Sequence, residues 1–271
     1  MKILLTNDDG IDAISLTILA EELINLGFTN IIVVAPKIGV SGVGRMLKMS
    51  KDDGIITSHK RLISNHIIEY HGVTGSPALS VAHALFEILI DLPDVCISGI
   101  NKGENIGRAM QFSGTIGAAM EAAAQQVPAF SLSLENPFKD SWSELVNENG
   151  EYKQKVRIAA KQFALYMHNY LEVHGSFKKL SGHVININYP STVAKDTPKV
   201  YAPQSKFHHY AWERAVKRDF TKPYLLPYKR AEHVQYFEPQ SDIYQLMVNR
   251  NITFTALSTR FENENPEKLN I

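Results

Sequence analysis

At 271 residues with 44% hydrophobic content, the chain can bury a sizeable core, and its length fits one large domain or a domain with an appended subdomain. Lys plus Arg equals Asp plus Glu at 28 each, so no net field exists to hold a nucleic-acid polymer or a membrane surface, although local sites for small anions remain open. The opening MKILLTNDDG meets two acids after a short apolar run, unlike a signal peptide, and no membrane-length apolar stretch follows, so the cytoplasm is the expected compartment.

Ile3 to Thr6 form a short apolar run ending in Asn7-Asp8-Asp9-Gly10, after which Leu16, Leu19, Ala20, Leu23 and Leu26 recur at helical spacing before Gly27. Ile31 to Ala35 is a continuous apolar run closed by Pro36, as expected of a strand covered on both faces. The opening therefore predicts a βαβ unit. Ser76-Pro77 is a cap and first turn for a helix through Leu89. Val95 to Ser98 is a further buried strand, and Cys96 within it excludes an internal disulfide and reads as a buried thiol. A small-residue helix over Ser113 to Gln125, a strand over Ala129 to Leu134, a helix from about Tyr152 to Tyr170 and a strand over Val184 to Asn188 continue the alternation. That order predicts an α/β fold: a mainly parallel sheet between helical layers. Beyond Pro190 the pattern gives way to the polar, aromatic stretch Lys199 to Pro239, which predicts hairpins, then a short helix near Asp242 to Val248 and a strand over Ile252 to Leu257. Residues 1–190 are thus expected to form the core and 191–271 an extension.

In an open parallel sheet, ligands bind at the carboxyl ends of the strands. Four polar, glycine-rich segments fall there: Asn7 to Gly10, Gly39 to Gly44, Gly99 to Asn105, and Ser113-Gly114-Thr115 at a helix start. A loop turned by Gly10 can bring both carboxylates of Asp8 and Asp9 onto one cation, and two hard anionic oxygens suit Mg²⁺ or Mn²⁺. Oxygens of Ser41 and Asn101 would complete the coordination sphere, leaving room for water and a phosphate oxygen. The competing reading, in which one aspartate caps the next helix and the other is solvated, stays open on spacing alone. Ser113-Gly114-Thr115 offers hydroxyls and free amides at the positive end of a helix, a cradle for phosphate, or else a plain cap with close packing. No GxGxxG follows the first strand and no GxxxxGK[ST] occurs, so neither a dinucleotide fold nor a P-loop is indicated. His208-His209 reads as a solvated or interface pair, and Lys206 to Arg230 as an exposed arm rather than a nucleic-acid surface.

Taken in order, LLTNDDG, VVAP followed by SGVG, ISGIN with Lys102 to Asn105, and FSGTIGAAMEAA followed by Val127-Pro128-Ala129 resemble the SurE nucleotidase family. The likeness is strong over residues 1 to 135 and weaker at NINYP and at Asp242 to Leu257. It implies a Rossmann-like three-layer αβα core and a C-terminal hairpin extension that builds a homodimer or homotetramer. It also implies hydrolysis of nucleoside 5′- or 3′-monophosphates, and sometimes of polyphosphate, with one divalent cation per subunit. The family's ligands fall on Asp8, Asp9, Ser41 and Asn101, with Asp8 and Asp9 as the catalytic acids, and its phosphate contacts on Asn105 and Ser113-Gly114-Thr115. Lys37, Arg45, Lys48 and Arg260 depart from the family pattern. Lys37, Arg45 and Lys48 motivate a rival reading, a non-catalytic nucleotide or phosphate sensor; the parallel sheet and paired acids are shared, more remotely, with a metal-dependent nucleotide-sugar transferase. For hydrolysis, water rather than an aspartate is the favoured nucleophile.

Overall fold

The computed structural model describes residues 1–136, 150–215, 217–224 and 226–260. The stretch 261–271 of the expected extension lies outside the described residues. Strand β1 (Lys2–Thr6) and helix α1 (Ile14–Ile24) open the chain. The amides of Gly27 and Phe28 turn back onto the Ile24 and Leu23 carbonyls and end the helix, with Gly27 at φ 88°. Strand β2 (Asn30–Pro36) pairs parallel with β1, as the apolar runs predict.

The segment after β2 departs from the expected alternation. Strands β3 (Ile56–Ile63) and β4 (His66–Val73) form an antiparallel hairpin, turned by Ser64 and Asn65 at φ 46° and 63°. Strand β4 joins β2 in parallel, so the hairpin extends the sheet at its edge. Helix α2 (Pro77–His83) starts as expected, with the Ser76 hydroxyl accepting the Leu79 amide at 3.0 Å. It ends earlier than its sequence suggests, widening into a π turn over Ala84–Ile88.

Strand β5 (Val95–Lys102) runs beyond Ser98, with a register shift against its neighbour between Ser98 and Asn101. Helix α3 (Gly114–Ala124), strand β6 (Ala129–Leu134), helix α4 (Gly150–His174) and strand β7 (His183–Tyr189) follow. The C-terminal part supplies β8 (Lys199–Tyr201), β9 (Tyr210–Trp212), β10 (Tyr228–Arg230), α5 (Asp242–Met247) and β11 (Ile252–Ser258). Among the described residues one sheet of nine strands has the order β3-β4-β2-β1-β5-β6-β7-β11-β8, and β9 and β10 pair separately. Because β8 and β11 complete the main sheet, the described part of the extension is woven into the core, and of its described strands β9 and β10 stand off the sheet.

Helices α1 and α4 pack together on one face and α2 and α3 on the other, which makes three layers. Under α4, Phe130 meets Phe163 and Phe177 edge-on, with ring centroids 5.2 and 5.5 Å apart. Under α3 the filling is smaller: Leu4, Cys96, Ala129 and Val184 face Ala118, Ala119 and Ala122. Small residues let α3 lie close to the sheet and bring its first turn down onto the end of β1.

Candidate active site

From β1 the chain passes through α1 to β2 on one side, and only after β4 does it cross back to lay β5 on the other side of β1, so the carboxyl ends of β1 and β5 flank a topological switch point. The loop after β1 closes on itself: the Asn7 side chain donates to the Gly10 carbonyl at 3.0 Å and accepts the Gly10 amide at 3.1 Å. Gly10 sits at φ 102°, and a Cβ there would stand 2.9 Å from the Gly39 nitrogen. A Cβ on Gly39 would in turn stand 2.8 Å from the Asp9 carbonyl oxygen. The loops after β1 and β2 therefore meet backbone to backbone, and the Val40 amide donates to the Asp8 carbonyl at 2.8 Å. Ser41, exposed, follows directly.

Asp8 is buried at the first turn of α3, where its Oδ1 accepts the Thr115 hydroxyl at 2.6 Å. Gly114 has to lack a side chain here, since a Cβ would lie 2.9 Å from the Asp8 Cβ and 3.1 Å from its Oδ2. The half-buried Asp9 accepts the Lys102 amide on Oδ2 at 3.2 Å, which ties it to the end of β5 beside Asn101. Burial pushes the Asp8 carboxyl up, the Asp9 charge pushes it further, and the Thr115 hydrogen bond works against both. Burial likewise raises Asp9, partly offset by the Lys102 amide and charge. Asp8, Asp9 and Asn101 are thus brought together with Thr115 and Gly114, and Ser41 lies on the adjoining loop.

Asn101 is buried, and its Nδ2 donates to the Gly103 carbonyl at 2.8 Å, which leaves Oδ1 as its side-chain acceptor. Ser113 caps α3 by accepting the Ile116 amide at 3.1 Å, and its hydroxyl can still donate a proton. The Thr115 hydroxyl, by contrast, donates to Asp8, so its described bond serves the acid rather than an incoming phosphate. Asn105 is fixed on several sides. Its amide donates to Asn188 Oδ1 at 2.7 Å, its Nδ2 donates to Ser133 Oγ at 2.9 Å, and its carbonyl accepts from Asn186 and Asn188.

Sequence reading passed over Asn186, Asn188 and Ser133 as supports. Their signal was present: Asn186 and Asn188 sit two apart in the otherwise apolar β7, so both point to one face. Among the departures, Arg45 turns to Glu121 of α3, with Nη2 at 2.7 Å and Nε at 2.9 Å from Oε2, and thereby fastens the loop that carries Ser41. His209 is also not the solvated residue its sequence suggests: it is 1% exposed and bonded to Glu104 at 2.8 Å, because the chain before β9 folds back onto the loop after β5.

The family model described as survival protein SurE matches residues 3–219. A protein named 5′-nucleotidase SurE from Methanocaldococcus jannaschii is 30% identical over 266 residues, spanning 95% of this chain and 92% of that protein. One of the same name from Methanococcus maripaludis is 29% identical over 265 residues, spanning 95% and 93%. Among solved structures, the SurE protein from Aquifex aeolicus superposes with a TM-score of 0.72 at 23% identity, covering 97% of this chain and 95% of its own, a likeness of fold. With its paired acids at the switch point and four-fifths of its length within the family model, the chain belongs to the SurE family.

Proposed function

We propose that the chain is a divalent-metal-dependent phosphomonoesterase that hydrolyses nucleoside monophosphates to nucleoside and phosphate. The observation that carries this reading is the pair of buried Asp8 and half-buried Asp9, set between the end of β5 and the first turn of α3. The relatives' name, 5′-nucleotidase, directs the substrate class to nucleoside 5′-monophosphates, with 3′-monophosphates and short polyphosphate as neighbouring substrates.

The donor set fits one Mg²⁺ or Mn²⁺ held by Asp8, Asp9, Ser41 and Asn101. All four offer hard oxygens, and among the described residues no group of three or more His, Cys, Asp or Glu side chains gathers to seat a softer metal. Two carboxylates that burial drives toward protonation gain by facing a cation. A divalent cation there supplies Lewis acidity at the phosphoryl group. The chain's own groups do the rest: Thr115 and the Lys102 amide aim the two acids, while Ser113 and the amino end of α3 favour the phosphate's negative charge. Asn105, held by β6 and β7, lines the same edge. Asp8 and Asp9 act as catalytic acids in that they hold the cation, and water is the attacking group.

Of the proposed extension 191–271, the described part presents Trp212, Phe220 and Tyr236 at 68%, 86% and 79% exposure, which supports its proposed use in a homodimer or homotetramer. No described helix is long and apolar enough to cross a membrane. The single cysteine is buried and free, which fits a cytoplasmic setting.

A panel of nucleoside 5′- and 3′-monophosphates with Mn²⁺, Mg²⁺ or EDTA tests the assignment. Phosphate release is expected with metal, lost in EDTA and restored on adding metal back. Binding without turnover under every metal would instead support the sensor. Within the same assay, Thr115→Val removes the hydroxyl that donates to Asp8 while keeping the side chain's shape. Activity is expected to fall about tenfold, and the acid limb of the pH profile to move upward as Asp8 loses a bond that favours its charged form. An unmoved limb would separate Thr115 from the chemistry.

A further inference from the structure

Glu104 stands between Asn101 and Asn105, with its side chain wholly out of solvent. Oε1 accepts His209 Nε2 at 2.8 Å, the Tyr210 hydroxyl, and Arg230 Nη2 at 2.9 Å. Oε2 accepts the Asn136 amide at 3.1 Å and Arg230 at 3.2 Å, and Arg230 also donates to the Asn136 carbonyl. Burial alone would push the Glu104 carboxyl up; the His209, Arg230 and Tyr210 donors outweigh it and hold it down at about 2. His209, Tyr210 and Arg230 come from the β9–β10 region, more than a hundred residues along the chain.

The neighbouring backbone is fastened to the same part of the chain. The Arg108 amide donates to the Phe207 carbonyl at 3.3 Å, Gln204 Nε2 to the Gly107 carbonyl at 2.8 Å, and the Gly107 amide to Asp242 at 2.7 Å. Asp242 also accepts the Ser205 amide at 2.8 Å, closing the connection between the two segments. A buried ionic cluster adds little net stability beyond what apolar packing would give, but it admits few alternative arrangements. Its effect therefore falls on the shape of the loop.

We propose that Glu104, His209 and Arg230 are positioning residues: they clamp the C-terminal segment onto the loop from Asn101 to Arg108 and set the geometry at which Asn101 and Asn105 are presented. In its catalytic consequence this rests on the phosphomonoesterase reading, because the loop joins a candidate metal ligand to a candidate phosphate contact. It also makes β9 and β10, which stand off the main sheet, part of the site's support.

Hydrogen–deuterium exchange on the full chain, combined with kinetics on the nucleotide found by the metal panel, tests the clamp. His209→Leu removes the donor and His209→Gln restores one. For His209→Leu, exchange over 101–108 is expected to quicken by about tenfold or more while β1 and β6 stay within about twofold. Its kcat should fall by about tenfold or more, with KM changed less. His209→Gln should recover most of both. If His209→Leu does not fold, Tyr210→Phe, which deletes one hydroxyl, should show the same local pattern at smaller amplitude. Unchanged exchange over 101–108, or quickening that spreads equally to β1 and β6, overturns the proposal. A wild-type chain that releases no phosphate would sink the enzymatic reading alone, since the exchange comparison needs no activity.

Discussion

Asp9→Asn is expected to lower metal-dependent phosphate release by at least about a hundredfold while making the metal-free protein more stable at neutral pH. The two effects share one cause. Asp8 is raised by burial and then by the Asp9 charge, so the ionised pair works against folding when no cation is present. A carboxyl raised in the folded state binds protons that the unfolded chain has released. Stability from this pair therefore falls as pH rises from the ordinary carboxylate range toward neutrality.

In EDTA, the wild type should lose stability relative to Asp9→Asn between about pH 5 and about pH 7.5, and saturating Mn²⁺ should erase that slope. Taking the difference between the two proteins cancels groups unrelated to the site, such as His71, whose lowered value slopes the other way. Glu104 does not enter this window, because its depressed carboxyl loses its stabilising charge only in stronger acid. Thermal melts across pH with and without metal, alongside the phosphate assay, give both readouts. A variant that is inactive and also less stable in EDTA at neutral pH would mean that Asp9 is a structural acid and not a ligand.

Gly117→Ala is expected to reverse the usual effect of filling a helix glycine. On an open helix face that change is worth up to about 1 kcal/mol of added stability. Here a Cβ would stand 2.1 Å from the Gly44 carbonyl oxygen, 2.6 Å from its carbon and 3.0 Å from the Arg45 nitrogen. The loop cannot yield easily, since the Gly44 amide donates to the Phe112 carbonyl at 2.9 Å and Arg45 is paired with Glu121. The expected outcome is a loss of about 1–3 kcal/mol in denaturant unfolding and weaker Mn²⁺ binding by calorimetry, because the displaced loop carries Ser41. A stability gain with unchanged metal affinity would show that the loop after β2 moves aside freely and that its seat on α3 is irrelevant to the site.

The central strands were legible because both of their faces are covered. Ile3 to Leu5 and Ile31 to Ala35 read as continuous apolar runs and fall in β1 and β2, while Ala129 to Leu134, also expected as a strand, forms β6 with Ser131 and Ser133 buried in it. The β3–β4 hairpin was not, since an edge hairpin needs no such run: Ser58, His59 and Lys60 all face solvent. The end of α2 was misplaced because a π turn keeps helical spacing for a few residues more. Within the site, polar, glycine-rich segments at strand ends pointed to Asp8, Asp9 and the amide Asn101. The bonds that aim them did not show, because Thr115 with Asp8 and Glu104 with His209 join residues separated by 107 and 105 positions. Pairings of that kind leave no periodicity and no local composition to read.

The two edges of the sheet carry a consequence for solubility. Strand β3 presents His59, Lys60 and Arg61 along one margin, with Lys60 bridged to Glu69 at 3.1 Å, and β8 closes the other margin with only three residues. Charge on one border and brevity on the other are ways in which open sheets avoid recruiting a foreign strand. Runaway strand addition of the kind that seeds fibrils thus finds little template here, and the proposed oligomer would have to be built from side-chain surfaces such as those of Trp212, Phe220 and Tyr236.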